Sequence, residues 1–149
     1  MNSRTIFLDV NIPMYAAGAP HSFRESCAGI MTAIATGELM AVIDVEIVQE
    51  ILHRYGALGN WPIAVAIAEN VLAIVPQILP VTVEDIALTV EMAATYGPKG
   101  VKARDLIHAA VMRNNGIDTI VSADTHFDSI DELSRISPQD LIATLNGAV

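Results

Sequence analysis

Four acidic residues stand where their spacing could do chemistry. Asp9 closes the apolar run Ile6-Phe7-Leu8, and Asp124 follows Thr119-Ile120-Val121-Ser122. Glu50 lies in a helical pattern after the run at residues 40–43, and Asp105 lies near the start of another helix. Open parallel sheets bind ligands outside the carboxyl ends of their strands, where the strand order reverses, so acids at these positions can face one crevice. At an effective dielectric near 20, two carboxylates about 5 Å apart repel by roughly 3 kcal/mol before screening. Such a cluster calls for cations. Hard oxygen donors with no cysteine among them suit Mg²⁺ or Mn²⁺, and two such ions can clamp the attacking and leaving oxygens of a phosphodiester displacement. Water would then be the nucleophile, with the carboxylates holding the metals and orienting it, and no covalent protein intermediate is required.

Each acid also has an ordinary structural reading. Asp9 can cap a following helix, Asp105 can complement a helix N-terminus, and Asp124 can sit in a turn. Glu46 lies one turn before Glu50 on nearly the same face, so periodicity alone does not choose between them. Asp44 reads most simply as a helix cap, with a site role also open.

The elements that must position these residues alternate short apolar runs with longer helical patterns, which predicts parallel strands joined by crossover helices. Strands are expected at residues 5–8, 40–43, 78–81 and 119–122. A helix carries Phe23, Cys27, Ile30, Met31 and Ile34 on one stripe and stops at Gly37. Asp44 caps the next, with Ile47, Val48, Ile51, Leu52 and Tyr55 inward. Residues 62–75 form a helix apolar nearly all round, which predicts a homodimer that covers part of it, including Val65 and Ile67. Thr82 with Asp85 three positions later resembles a capping box for a helix that reaches Tyr96 and stops at Gly97-Pro98. Residues 103–115 are helical, and Ser137-Pro138 opens the last helix.

The chain has 149 residues and a mass of 15.9 kDa, which fits one domain over residues 1–149. Hydrophobic residues make up 52%, so the composition is that of a folded protein and not of a disordered one. Eight Lys+Arg against 17 Asp+Glu leave a net charge of −9, which excludes a basic nucleic-acid-binding tail or polybasic membrane segment. The lone Cys27 excludes an internal disulfide, a reducing compartment fits, and no signal peptide or membrane span is read. A cytoplasmic protein is expected.

Four segments together resemble the PIN-domain ribonucleases, with the VapC-type toxins of bacterial toxin–antitoxin pairs as the nearest comparison. They are Phe7-Leu8-Asp9-Val10-Asn11, Val48-Gln49-Glu50-Ile51-Leu52, Ala103-Arg104-Asp105-Leu106-Ile107-His108-Ala109-Ala110 and Val121-Ser122-Ala123-Asp124-Thr125-His126-Phe127. The resemblance spans nearly the whole chain, in order. It implies an α/β class fold, a three-layer α/β/α arrangement with a central parallel sheet, Mg²⁺ or Mn²⁺ at the acids, and hydrolysis of RNA. Asp9, Glu50, Asp105 and Asp124 match the family's catalytic and metal-binding quartet, Asn11 matches a supporting polar position, and Asp128 is a further acid. Ser122 stands where many members carry Thr. The resemblance also implies a homodimer and a cognate antitoxin whose positive groups reach the acidic cleft, with which −9 is compatible.

Lys99, Lys102 and Arg104 crowd the approach to Asp105, where positive charge opposes the helix dipole. They are expected to meet substrate phosphates from a loop made flexible by Gly97 and Gly100. His21, His53, His108 and His126 share no spacing and read as surface or partly packed residues, with His108, one turn from Asp105, as a second-shell donor. Met31, Met40 and Met92 read as core filler. A haloacid-dehalogenase-type phosphatase needs an Asp two positions after Asp9, where Asn11 stands. A PIN-like scaffold without catalysis, binding RNA or protein, conflicts with the presence of all four acids.

Overall fold

A computed structural model describes residues 4–147. Its centre is a five-stranded sheet, all parallel, of β1 (Ile6–Leu8), β2 (Ala41–Asp44), β3 (Gln77–Leu79), β4 (Thr119–Val121) and β5 (Ser134–Ile136), in the spatial order β3-β2-β1-β4-β5. Parallel strands covered on both faces read as unbroken apolar runs, and Phe7, Leu8, Val42, Ile43 and Ile120 are each fully buried. Phe7 pairs with Val42 on one side and Ile120 on the other, which puts β1 at the middle.

Seven helices connect and cover the strands: α1 (Asn11–Ala17), α2 (Arg24–Ala35), α3 (Val45–Ala57), α4 (Trp61–Ile74), α5 (Val83–Tyr96), α6 (Ala103–Asn114) and α7 (Pro138–Leu145). The connections β1-α1-α2-β2 and β2-α3-α4-β3 step the same way along the sheet, and right-handed crossovers lay them on one face, where α7 packs on α2. The connection from β3 to β4 steps back past β1 and carries α5 and α6 on the other face. This is the three-layer α/β/α arrangement. Its strand order reverses between β1 and β4, so the crevice expected of such a sheet opens beyond Leu8 and Val121.

Local chemistry explains the helix starts. Asp44 accepts the Ile47 N–H at 3.1 Å, and Thr82 and Asp85 form the reciprocal capping box. Two elements were not expected. Helix α1 is seven residues long, has Pro13 in its first turns and no side-chain cap, so it offers too short a stripe to read. Strand β5 is an edge strand of Ser-Arg-Ile with one neighbour only.

Several side-chain expectations need correction. Met40 is 42% exposed at the entry to β2 and is not core filler. Ile67 packs into the core with Ala64, Ala68 and Val71, so the outer face of α4 is formed by Trp61, Ile63, Val65 and Leu72. The segment after α5 forms a 3₁₀ turn at Gly97–Lys99; Gly97 has an ordinary φ of −54°, and within this segment Gly100, at φ +92°, uses the left-handed region. No helix among the described residues is long and apolar enough to cross a membrane.

Candidate active site

The chain leaves β1 at Asp9, whose backbone N–H still donates to the Val121 carbonyl at 3.2 Å, so the switch point of the sheet holds this residue between two strands. The residue is 3% exposed, and both carboxylate oxygens accept hydrogen bonds. Oδ1 accepts the Val10 N–H at 2.8 Å, while Oδ2 accepts the Ser122 hydroxyl at 2.6 Å and the Asn11 amide at 3.1 Å. Ser122 in turn accepts the Asp124 N–H at 2.9 Å and the Asn11 amide at 3.2 Å. Asn11, expected to assist substrate binding, is spent on holding Asp9 to the β4 end. Burial raises the Asp9 carboxyl above its ordinary value, against the lowering effects of His108, Ser122 and Val10.

Asp105 enters from the other face, in the first turn of α6. One carboxylate oxygen of Asp9, one of Asp105 and a ring nitrogen of His108 lie within 4.8 Å of one another, and all three residues are buried. Burial pushes the Asp105 carboxyl up to about 6, and the charges of Asp9, Asp124 and Glu50 add to the rise while His108 opposes it. Asp124 begins the 3₁₀ turn Thr125–Ser129, with Oδ1 accepting the His126 N–H at 2.9 Å and its side chain 31% exposed. It is therefore both a cap and a neighbour of Asp105.

Glu50 and His108 differ from the sequence reading. His108 is wholly buried, tilted against Phe7, and clamped between two carboxylates, with Nδ1 at 2.8 Å from Asp44 Oδ2 and Nε2 at 2.5 Å from Glu50 Oε1. The expectation of a surface or partly packed histidine is corrected. A neutral imidazole carries one N–H, so two ionised carboxylate partners are both satisfied only by the doubly protonated ring. Burial alone would lower its pKa, but the hydrogen bonds and charges of Asp44 and Glu50 override it and raise it to about 10. The raised value favours the imidazolium, and both ring nitrogens of His108 face carboxylates, which leaves the carboxylate oxygens of Asp9 and Asp105 as the donors open to a metal. Glu50, with its side chain 1% exposed, gives Oε1 to that cation and turns Oε2 toward Arg54 and Arg104, each at 3.8 Å. Glu46 is half-buried beside the same group, its carboxyl raised by burial, lowered by His108 and raised by Glu50 and Asp44. The covalent sequence gave no signal for the Asp44–His108–Glu50 chain beyond the one-turn spacing of His108 from Asp105.

The structure brings Asp9 and Asp105 into one cluster, sets Asp124 within electrostatic reach of Asp105, and joins Glu50 to it through His108. Of the basic residues, Arg104 reaches this site, Lys99 lies with Nζ 5.4 Å from the centre of the Tyr96 ring, and Lys102 is exposed at the N-cap of α6. Asp128 is exposed and paired with Arg135 through both carboxylate oxygens, at 2.9 and 3.1 Å. A hard divalent cation fits the carboxylate oxygens of Asp9 and Asp105, with Asp124 in electrostatic reach, because no hydrogen bond from the described residues occupies the Asp105 carboxylate and the neighbouring His108 is shared with Asp44 and Glu50.

Comparison with known proteins gives the same outline. The PIN domain family model matches residues 6–133. The chain is 30% identical over 132 residues to ribonuclease VapC13 of Mycobacterium tuberculosis, covering 89% of this chain and 99% of that protein. The fold resembles the solved structure of Mycobacterium tuberculosis VapC20, a sarcin-ricin loop cleaving toxin, with a TM-score of 0.70 at 18% identity over 83% of this chain and 93% of that one. It also resembles DNA-bound VapBC from Salmonella typhimurium, with a TM-score of 0.70 at 15% identity over 91% and 98%.

Proposed function

The chain belongs to the PIN domain family, and on that footing we propose that it is a Mg²⁺- or Mn²⁺-dependent endoribonuclease acting as the toxin of a toxin–antitoxin pair. The observation that carries this reading is the buried Asp105, its carboxylate free of hydrogen bonds from the described residues, facing Asp9 at the switch point of the sheet. The one cation beside this pair, His108, is shared with Asp44 and Glu50, so the buried carboxylates outnumber it, and a structural role does not require Asp9 and Asp105 to face each other. The names of its relatives as ribonucleases support RNA as the substrate.

In this reading Asp9, Asp105 and Asp124 hold the metal, which supplies the Lewis acidity that displacement at phosphorus needs. Asn11 and Ser122 orient Asp9, so its free lone pairs point one way. Arg135 donates to the Ser122 carbonyl at 3.0 Å and to Asp128, which fixes the turn that presents Asp124. Glu50 acts through the groups it holds, His108, Arg54 and Arg104. An antitoxin is the proposed protein partner, and a second copy is proposed to cover the exposed Trp61, Val65 and Leu72 of α4. The cytoplasm is the proposed location.

The test is cleavage of RNA by purified protein. Asp9→Asn and Asp124→Asn are expected to keep the fold and lose Mg²⁺-dependent cleavage by at least about 100-fold, or ~3 kcal/mol of barrier. Chelation should abolish cleavage by the wild type. Variants that cleave at near wild-type rates would refute the assignment.

A further inference from the structure

A net charge of −9 and the acids Asp9 and Asp105, with Asp124 in electrostatic reach, should repel a polyanion, so the approach to the site needs fixed positive charge. Three cations converge on the single carboxylate of Glu50. His108 is wholly buried and can touch nothing from outside. Arg54 and Arg104 differ, with side chains 42% and 36% exposed.

Their placement is built from two elements. Arg54 stands four residues after Glu50 on α3, one turn along the same face, and Arg104 stands beside Asp105 in the first turn of α6. Both guanidinium groups are 3.8 Å from Glu50 Oε2, which is charge attraction but too long for a hydrogen bond. No hydrogen bond among the described residues takes up their N–H groups. A guanidinium carries five donors in a planar fork suited to phosphate oxygens. Glu50 thus orients two half-exposed forks at the rim of the acid cluster without consuming their donors. Lys99, over Tyr96, and Lys102, with no acidic partner among the described residues, are not held in this way.

Resting on the nuclease reading above, we propose that Arg54 and Arg104, anchored together on Glu50, form a phosphate-binding pair for the RNA backbone next to the cleavage site. A purely structural ion pair would show itself differently: it would leave RNA affinity and its salt dependence unchanged.

The experiment measures binding of a fluorescent single-stranded RNA of mixed sequence in EDTA, at a series of salt concentrations. Arg54→Gln and Arg104→Gln should each weaken binding and flatten the slope of log affinity against log salt by about 0.7, and the double variant by about 1.4. Arg54→Lys should restore the slope, since the charge returns. Arg113→Gln, in the last turn of α6 and paired with Glu132, should leave it unchanged. Mn²⁺ affinity and thermal unfolding of the two single variants should match the wild type, so a loss of RNA binding cannot be a loss of fold. A wild type whose RNA binding responds to salt while both Arg variants keep its slope overturns the pair and leaves the nuclease reading standing. A wild type that neither binds nor cleaves RNA overturns both.

Discussion

At the start of α5, Asp85 is 2% exposed and its carboxylate receives the Thr82 N–H and the Asn114 amide at 2.8 Å each. At the start of α6, Asp105 is 6% exposed, and its nearest ionisable neighbours include two other acids. Burial raises both carboxyls. At Asp85 the contacts with Thr82 and Asn114 more than offset it and hold the value below the ordinary carboxylate range, whereas at Asp105 the charges of Asp9 and Asp124 push it further up to about 6. The same residue type in the same place on a helix is therefore a finished cap in one case and an unfinished ligand set in the other. What separates them is the supply of donors, which only the folded neighbourhood decides.

The largest expected effect tests the unfinished set directly. Mg²⁺ at 100 times its dissociation constant should stabilise the wild type by about 2.7 kcal/mol. Asp85→Ala should gain the same increment, because its carboxylate has no part in the site. Asp105→Asn should gain less. Thermal unfolding of the three proteins in EDTA and in excess Mg²⁺ measures this, and equal increments for all three would show that the acids do not form one metal site.

A somewhat smaller effect tests the finished cap. Asp85→Ala removes the capping box and strands the Asn114 amide, which should cost about 2 kcal/mol of stability in EDTA. The contribution of Asp85 is present above its unfolded value and lost as pH falls through its lower folded value, so the variant and the wild type should converge in acid. A neutral Asp85→Ala at pH 7 would mean the cap contributes nothing and the contrast fails.

Much of this contrast was legible before the structure. Thr82 and Asp85 at capping-box spacing announced the α5 start, and the apolar runs at residues 5–8 and 119–122 placed Asp9 and Asp124 past the ends of two strands; that these strands are neighbours appears only in the fold. Ordered local patterns carry such information because a cap or a strand is decided within a few residues. The Asp44–His108–Glu50 chain was not legible, since it joins β2, α3 and α6 across as many as 64 positions and leaves no periodic trace. Nor was β5, where Arg135 lies on an edge strand of three residues with one apolar member and secures the Asp124 turn through tertiary contacts. The local form of the segment before Asp105 was not legible either: Gly97 continues into a 3₁₀ turn next to the buried Tyr96.

The smallest effect has the sign that a cap cannot produce. Between the ordinary value of 3.8 and the folded value of about 6, Asp105 is protonated in the native protein and ionised in the unfolded chain. The native state then binds more protons, so this group lowers stability as pH rises through that window, with the full penalty present above about pH 6. Asp85 acts in the opposite direction. Asp105→Asn removes the penalty while still burying a polar amide, so in EDTA the variant should exceed the wild type by on the order of 1 kcal/mol at about pH 7.5. Near pH 4.5 the advantage should shrink, because the wild-type carboxyl is already neutral there. Excess Mg²⁺ at pH 7.5 should then reverse the order, since the ion supplies the charge that the three acids lack and the variant binds it less well. Denaturant unfolding at the two pH values, with and without Mg²⁺, reads all of these signs. A variant less stable than the wild type in EDTA at both pH values would place Asp105 with Asp85, as a cap whose charge the fold has already satisfied.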